Sequence, residues 1–258
     1  MRLALVIGNS RLHWAVLSER SIHTTWNTDH LSQEAIAALC TQPVPLNALL
    51  NLGSPRDIDG VDISLPLLVV SVVPEQTSFW QQAIQCQLIT LDQIPLKGLY
   101  STMGIDRAIA ALGAGHAYGF PVLIIDGGTA LTLTGIDSNR RVMGGAILPG
   151  LRLQGRSLTQ YTATLPTVEF SISSPVTAIP RWAHTTPDAI RSGITHTVLS
   201  GVRDFIEDWH RRYPHGDAIF TGGDGEFLYH HLHSGSNCPE NQLRYDPTLI
   251  FRGIQSFL

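Results

Sequence analysis

The sequence predicts an α/β protein assembled from two similar halves, and three observations lead to that prediction. Short apolar segments typical of buried strands alternate with segments of helical periodicity along the chain. Two of the apolar segments, "LALVIGNS" and "LIIDGGTA", end in glycine turns and begin 120 residues apart, at Leu3 and Leu123. Each is followed by two more strand-like segments, which is typical of a duplicated domain.

The first half carries the elements of one mixed sheet. Apolar character predicts strands in "RLALVIG", "RLHWAVLS", "SIHTTWNT", "LPLLVVSVVP" and "QLITLD". Helical spacing predicts helices in "SQEAIAALC", "EQTSFWQQAIQ" and "IDRAIAALGAGHAYG". The first two strands are expected to form a hairpin, and "LPLLVVSVVP" is expected to be central because it is apolar until Pro74.

The second half repeats this pattern. Strands are predicted in "PVLIIDGG", "TALTLTGID", "RRVMGGAIL" and "DAIFTGG". Helices are predicted in "GLRLQGRSLTQY", "DGEFLYHHLH" and "PTLIFRGIQSFL". A long amphipathic helix is predicted over 187–212 from the spacing of Ala189, Ile190, Ile194, Val198, Leu199, Val202, Phe205, Ile206 and Trp209. Residues 164–184, rich in Pro, Ser and Thr, are expected to be irregular.

Composition limits the classes of function. The 258 residues, 43% of them hydrophobic, suffice for two domains with buried cores. The formal net charge of −4 and the lack of a basic block argue against a nucleic-acid or membrane-surface binder. No segment approaches the roughly 20 apolar residues that span a bilayer. Three distant cysteines, Cys40, Cys86 and Cys238, do not form a CxxC zinc pattern and favour reduced thiols in a cytoplasmic protein.

Three glycine-rich turns together suggest a polyphosphate site. Backbone N–H groups in such turns converge on anions, and small polar residues beside them add donors. In "IFTGGDGEF" a strand runs through Gly222 and Gly223 into a helix, which lets a phosphate or a flat ring approach the backbone at a helix N-terminus. Each turn taken alone is better explained as a plain loop, whereas all three in this order favour nucleotide binding. The chain has no GxxxxGK[ST] segment and therefore no P-loop.

Seven segments resemble those of type III pantothenate kinases. In order they are "IGNSRLHW", "GIDR", "DGGTALT", "GGAILPGLRLQ", "ATLP", "TTPDAIRSGI" and "TGGDGEFL". The resemblance runs from Gly8 to about Leu228. It implies the acetate and sugar kinase, Hsp70 and actin superfamily, with duplicated ribonuclease-H-like (actin-like ATPase) domains and ATP in a cleft between them. The halves expected on that basis are 1–112 and 113–258.

The resemblance also implies an activity and its partners. Members of this family transfer the γ-phosphate of ATP to the primary hydroxyl of pantothenate, which gives 4'-phosphopantothenate in the first step of coenzyme A synthesis. They are homodimers that use Mg²⁺ and a monovalent cation, K⁺ or NH₄⁺. ATP and pantothenate are therefore the expected partners of a cytoplasmic enzyme, without nucleic acid or membrane.

In the first half, Asp106 of "GIDR" resembles the catalytic base of the family. A carboxylate near an alcohol can accept its proton late in phosphoryl transfer, and a helix N-terminus favours its charged form. Local sequence alone favours a helix-capping Asp instead. Arg107 resembles the residue that holds the substrate carboxylate, for which a guanidinium is suited, and a surface salt bridge is the alternative. Tyr100, Gly104 and Ile105 are the further substrate contacts that the resemblance implies.

The ATP-binding residues implied by the resemblance lie on three loops. They are Gly8, Asn9, Ser10, Arg11 and His13 on the first loop, Thr129 on the second, and Gly222 and Gly223 near the adenosine. Asp126 resembles the ligand of the monovalent cation, which hard oxygen donors suit. From local sequence an Asx-turn is equally consistent with Asp126. Thr186 resembles a substrate contact, and an N-cap role is a compatible alternative.

Two positions depart from the family pattern. The family carries an acid two residues before the first glycine, where it helps to hold Mg²⁺, and Val6 stands there in this chain. Mg²⁺ is then held by ATP, water and Asp126, or is bound more weakly, or activity is lost. Because losing one outer-shell group typically costs about 10–100-fold, an active enzyme is favoured. His13 stands where a lysine is common, which removes a fixed positive charge.

Two other functions remain open from sequence. One is a nucleotide-binding regulatory or accessory protein of the same fold, which Val6 favours. The other is a kinase for a different small alcohol. Asp106, Arg107 and Asp126 favour the kinase, because a protein that only binds nucleotide has no use for a base.

Overall fold

The computed structural model describes residues 1–40, 64–83, 85–170, 179–233 and 242–258. The chain forms two compact units, Met1–Ala117 with Thr248–Leu258 and Tyr118–Pro247. The predicted division between 1–112 and 113–258 falls inside the helix Ile105–Tyr118. The C-terminal helix is part of the first unit, where Gln255 Nε2 donates to the Ser18 carbonyl at 2.7 Å.

The first unit is built on a five-stranded mixed sheet with the order β3-β2-β1-β4-β5. Its strands are β1 (Arg2–Ile7), β2 (Leu12–Leu17), β3 (Ile22–Thr28), β4 (Ser64–Ser71) and β5 (Cys86–Leu88). The first three are antiparallel neighbours, whereas β4 runs parallel to β1 and to β5. Nearly all of β1 is buried, which explains why this strand is apolar without alternation.

The second unit has a sheet of the same topology, with the order β8-β7-β6-β9-β10. Its strands are β6 (Val122–Gly127), β7 (Ala130–Ile136), β8 (Val142–Pro149), β9 (Asp217–Thr221) and β10 (Leu243–Tyr245). Again the first three are antiparallel and the last two run parallel to the first. The predicted duplication is therefore visible as the same strand order in both units, with β1 and β6 as equivalent strands.

The described helices follow the predicted pattern. They are α1 (Gln33–Cys40), α2 (Pro74–Ala83), α3 (Ile105–Tyr118), α4 (Leu151–Tyr161), α5 (Thr186–Arg212), α6 (Gly225–His233) and α7 (Leu249–Gln255).

The prediction of one strand over "QLITLD" is wrong after Leu88, because a 3₁₀ helix occupies Leu91–Gln93. There the Gln93 side chain accepts from the Thr90 N–H at 3.1 Å, a capping box that turns the chain out of the sheet.

The core of the first unit is centred on Trp14. Its ring is fully buried and lies between Trp26, stacked at 6.0 Å, and Trp80 of α2, edge-on at 5.3 Å. Its Nε1 donates to Thr28 Oγ1 at 3.1 Å. Such aromatic pairs contribute about 0.5–1.5 kcal/mol each beyond their buried area. The cluster thus fixes the hairpin end of the sheet against α2.

The core of the second unit is covered by α5. Seven of its nine predicted apolar positions are buried: Ile190, Ile194, Val198, Leu199, Val202, Ile206 and Trp209. Ala189 and Phe205 are exposed, the latter by 43%, because they lie at the margins of the apolar stripe. The described parts of the region predicted to be irregular, 164–170 and 179–184, contain no helix or strand.

Two further sequence expectations concern cysteines and membranes. The Cys86 thiol donates to the Trp80 carbonyl at 3.5 Å, whereas Cys238 lies outside the described residues. None of the described helices combines the length and the apolar character that crossing a membrane would require.

Candidate active site

The first glycine loop joins β1 to β2 and contains the predicted phosphate contacts Gly8–Arg11. The Gly8 N–H donates to the Arg11 carbonyl at 3.0 Å and closes the turn. The Gly8 carbonyl accepts from His30 Nε2 at 2.8 Å. Asn9, Ser10 and Arg11 are exposed, so a ligand can reach their side chains.

His13 follows this loop and lies opposite Val6 in the β1–β2 register. Its Nδ1 donates to Asn27 Oδ1 at 2.7 Å. Burial lowers the pKa of His13, the hydrogen bond to Asn27 opposes that effect, and the Arg11 charge lowers the pKa further. The lowered pKa favours the neutral imidazole at pH 7.

Val6 is part of the sheet core. It is 4% exposed and lies between His13 of β2 and Val70 of β4. Because β1 and β6 are equivalent strands, Val6 takes the position that Asp126 takes in the second unit. The structure thus places a buried apolar side chain where the family resemblance led us to expect an acid.

The N-terminus of α3 positions Gly104, Ile105, Asp106 and Arg107. The Gly104 carbonyl accepts from the Ala108 N–H at 3.2 Å, so Gly104, not Asp106, precedes the helix as its cap. The Asp106 carboxylate lies in the first turn, where Oδ1 accepts from the Arg107 N–H at 2.8 Å. A Cβ at Gly104 would lie 2.5 Å from that Oδ1. Glycine is therefore required there for the observed carboxylate position.

Arg107 and Tyr100 lie together. The guanidinium Nη1 donates to Tyr100 Oη at 3.0 Å. Arg107 is 8% exposed, which a surface salt-bridge arginine would not be, whereas Tyr100 is 42% exposed. A buried guanidinium oriented by a phenol is suited to receive a carboxylate in a defined plane.

In the second unit, Asp126 is the penultimate residue of β6 and lies beside the turn that follows β9. Gly222 has φ +81° there, and a Cβ on Gly222 would overlap Asp126 Oδ1. Gly222 is therefore glycine for two reasons, its backbone conformation and the close approach of this carboxylate. Gly223 is exposed and a Cβ on it would meet nothing within 4 Å, so its backbone is open to a ligand.

Thr129 lies in the β6–β7 turn, where its side chain is exposed. Its carbonyl accepts from the Gly150 N–H at 2.9 Å, which ties the turn to the start of α4. The Gly127 carbonyl accepts from the Asp224 N–H at 2.8 Å, which ties the same turn to the Gly222–Gly223 loop. The predicted residues Asp126, Thr129, Gly222 and Gly223 thus lie on segments joined by backbone hydrogen bonds.

The structure adds Arg152 and Asp224, which the sequence did not predict as site residues. Arg152 Nη1 donates to Asp224 Oδ1 at 2.7 Å, and the Asp224 side chain is 4% exposed. Burial raises the pKa of Asp224, and the Arg152 charge and hydrogen bond oppose that rise. Both residues lie inside segments that carry the family resemblance, "GGAILPGLRLQ" and "TGGDGEFL", and this was the signal in the sequence that could have identified them.

Thr186 is the first residue of α5 and does not cap it. The cap is Thr185, whose Oγ1 accepts from the Asp188 N–H at 3.3 Å and donates to Asp188 Oδ2 at 2.6 Å. Thr186 is exposed and lines an open groove of about 660 Å³. Other residues along that groove are Gln154, Leu158, Leu165, His184 and Ile194.

No three His, Cys, Asp or Glu side chains in the described part of the chain are grouped so that they could hold a metal ion. The arrangement provides a carboxylate and a buried guanidinium at one helix N-terminus in the first unit. It provides one carboxylate beside open glycine backbone in the second. These groups suit proton acceptance, carboxylate binding and phosphate binding.

Solved structures share this fold. A Baf family protein from Campylobacter jejuni superposes with a TM-score of 0.60 at 20% identity and covers 98% of this chain and 96% of its own. The ethanolamine utilization protein EutJ from Carboxydothermus hydrogenoformans gives 0.51 at 9% identity, with 99% and 89% covered. Together with two sheets of one topology, these similarities show the actin-like ATPase fold, which is built from duplicated ribonuclease-H-like domains.

Sequence relatives define the family more closely. The family model for type III pantothenate kinase matches residues 2–208. The type III pantothenate kinase of Nostoc sp. is 42% identical over 99% of this chain and 94% of its own length. That of Synechocystis sp. is also 42% identical, over 98% and 88%. The chain belongs to the type III pantothenate kinase family.

Proposed function

We propose that this chain transfers the γ-phosphate of ATP to the primary hydroxyl of pantothenate, the activity of its family, with Asp106 as the base. The observation that carries the assignment of roles is the N-terminus of α3. There Asp106 and the buried guanidinium of Arg107 are adjacent, and Tyr100 orients the guanidinium.

The chemical step needs one base and much positioning. The pantothenate hydroxyl oxygen forms a bond to the γ-phosphorus while the bond from that phosphorus to the β,γ-bridging oxygen breaks, and ADP leaves. The hydroxyl proton moves to the Asp106 carboxylate. A positioned base contributes about 10²–10⁴-fold to such a reaction, and the remainder comes from alignment and charge stabilisation.

Arg107 would bind the carboxylate of pantothenate. Its Nη1 is already fixed by Tyr100 Oη, so the plane of the guanidinium is set before substrate arrives. Holding the carboxylate end of the substrate limits where its hydroxyl end can lie relative to Asp106. Thr186, exposed along the groove of the second unit, would add a further substrate contact.

The glycine loops would receive ATP. In the first unit the exposed loop residues Asn9, Ser10 and Arg11 offer donors and a positive charge to phosphate. In the second unit Thr129 offers a hydroxyl and Gly223 offers open backbone. Absence of a side chain at Gly223 lets a flat ring or a phosphate come within van der Waals distance of the chain.

The family resemblance assigns Asp126 to the monovalent cation, and a carboxylate suits such an ion. Its half-buried side chain lies close to Gly222, where any Cβ would overlap Oδ1. Asp126 would hold K⁺ or NH₄⁺, and Mg²⁺ would be bound through ATP phosphates and water. When bound, these cations neutralise negative charge on the phosphates. K⁺ should raise the melting temperature of wild type more than Na⁺ does, and Asp126→Asn should remove that difference; an unchanged difference would refute the assignment.

We also infer a cytoplasmic homodimer, as the family resemblance implies. Exposed apolar side chains on β8 support an interface in the second unit: Ile147 is 65% and Met143 is 50% exposed, on the same face of this edge strand. Sedimentation analysis tests the proposal. Ile147→Lys should shift dimer towards monomer, and a wild-type monomer at micromolar concentration would contradict it.

The decisive test uses the purified protein with ATP, pantothenate, Mg²⁺ and K⁺, by coupled ADP release and product mass. Turnover should depend on pantothenate. Gly223→Ala should raise KM for ATP about 10-fold without lowering the melting temperature, because its Cβ would enter open space in which we propose that the nucleotide binds. Gly201→Ala on the exposed face of α5 is the control, since its Cβ also meets nothing. Equal KM values for wild type and Gly223→Ala would remove this loop from the ATP site.

A further inference from the structure

We infer that the ion pair between Arg152 and Asp224 is a positioning pair for nucleotide binding, because it holds the Gly222–Gly223 loop against the Asp126–Thr129 turn. The inference rests on the proposed function, in which these two segments receive ATP. Neither partner is assigned a direct contact with the nucleotide. The pair acts through the backbone that it fixes.

Asp224 is anchored at two points. Its N–H donates to the Gly127 carbonyl at 2.8 Å, and its Oδ1 accepts from Arg152 Nη1 at 2.7 Å. The residue is 3% exposed, so its carboxylate has lost most of its hydration. A buried carboxylate is tolerated only when a hydrogen-bonded positive partner compensates for the lost water. Arg152 is the positive partner of Asp224 in the structure, and it lies on a different element, α4.

Arg152 is itself fixed to the first glycine segment of this unit. It lies in the first turn of α4, directly after Gly150 and Leu151. The Gly150 N–H donates to the Thr129 carbonyl at 2.9 Å. A Cβ on Gly150 would overlap the Gly128 carbonyl, so the start of α4 and the turn are in direct contact. Through this contact, the guanidinium has a defined position relative to the turn.

The three segments therefore close into one network. Backbone hydrogen bonds join the turn to α4 and to the Gly222–Gly223 loop, and the ion pair joins α4 to that loop. Without the guanidinium, the Asp224 carboxylate is buried without compensation and must draw water or move. Either response displaces Gly223, the neighbouring residue with open backbone. Displacements of about 1 Å at a binding site can cost on the order of 10²-fold.

The experiment compares Arg152→Gln with a matched control. Arg244 is 46% exposed and donates to Asp217 at 3.1 Å, much as Arg152 is 45% exposed beside Asp224, but Asp217 begins β9, whereas the Gly222–Gly223 loop follows the other end of that strand. Arg152→Gln should weaken MgATP binding and raise KM for ATP by about 10-fold. Its kcat and its KM for pantothenate should stay within about threefold of wild type. Arg152→Lys should recover much of the ATP affinity, and Arg244→Gln should not change it.

A double-mutant cycle tests the coupling. Asp224→Asn should weaken ATP binding as Arg152→Gln does, and the combined variant should be no weaker than either alone, because both changes remove one interaction. Additive losses would overturn the inference. So would an Arg152→Gln variant that binds ATP within twofold of wild type, or an equal loss in Arg244→Gln. If Asp224→Asn does not fold, the comparison of Arg152→Gln, Arg152→Lys and Arg244→Gln decides alone.

Failure of this inference is distinguishable from failure of the proposed ATP site. If Gly223→Ala weakens ATP binding while Arg152→Gln does not, the loop binds nucleotide and the ion pair is merely structural. If Gly223→Ala leaves ATP binding unchanged, the loop is not part of the nucleotide site and both proposals fail. Melting temperatures without ATP separate a general loss of stability from a loss of affinity.

Discussion

The two units share one sheet topology but differ where their first hairpins meet the next parallel strand. In the first unit the apolar Val6 lies next to Val70. There β4 ends at Ser71, whose Oγ accepts from the Val73 N–H just before α2 begins. In the second unit Asp126 lies next to Thr221, and the chain enters α6 through Gly222 and Gly223. The equivalent strand ends thus carry packed apolar side chains in the first unit. In the second unit they carry a carboxylate beside open glycine backbone.

We propose from this difference that the duplicated units have separate tasks. The second unit offers backbone and one carboxylate, which suits the binding of phosphates and a cation. In the first unit β1 is apolar at Val6, the equivalent position, and the carboxylate proposed as the base, that of Asp106, lies at the N-terminus of α3. We make four predictions that test this division, in order of decreasing effect.

Asp106→Asn should have the largest effect, because it removes the proposed base from the first unit. We expect kcat to fall by about 10³-fold, within the range for a positioned base, while the Kd for ATP changes less than about threefold. Single-turnover kinetics and calorimetric ATP titration measure the two quantities. Asp92→Asn, on the exposed 3₁₀ helix, is the control. Near-normal turnover in Asp106→Asn would remove Asp106 as the base.

Val6→Asp would make the first hairpin resemble the second. Since Val6 is 4% exposed and its neighbours in the sheet are His13 and Val70, the new carboxylate would be buried without a cationic partner. We expect the free energy of unfolding to fall by about 2–4 kcal/mol in urea titrations. If MgATP restored this loss fully, a carboxylate at position 6 would contribute to MgATP binding. That result would contradict the proposed division between the units.

Gly222→Ala and Gly8→Ala compare the two glycine turns directly. At Gly222 the positive φ and the overlap with Asp126 should cost about 1–3 kcal/mol of stability. At Gly8 a Cβ would lie 3.3 Å from the Arg11 carbonyl, and we expect a loss below about 1 kcal/mol. Thermal and urea unfolding of both variants measure the difference. Equal losses would show that the two turns are equally constrained.

His13→Gln should have the smallest effect, confined to pH dependence. Burial lowers the pKa of His13 below 6.5, so the unfolded chain binds more protons at this group than the folded chain does. Stability therefore falls as the pH drops through about 6.5 towards the folded pKa. Unfolding of wild type between about pH 7 and pH 5 should be steeper in pH than that of His13→Gln. Identical profiles would show that His13 is not linked to folding.

Short-range pattern was sufficient for most elements. Continuous apolar runs predicted β1 and β4, helical spacing predicted α5, and the 120-residue offset predicted two equivalent sheets. The three-residue strand β10 was not predicted, because "LRY" is too short to show a period. The roles assigned to the site residues stay predictions until they are tested in solution.

Local patterns in the sequence were enough to locate the turns, the apolar faces and the family resemblance, because these depend on neighbouring residues. The contacts between distant groups became evident only in the folded chain. It placed Arg152 on Asp224, 72 residues away, and it placed the C-terminal helix with the first unit. It also placed Arg107 on Tyr100 and gave the cap of α5 to Thr185 instead of Thr186. Such contacts follow from the packing of whole elements, which no local pattern encodes.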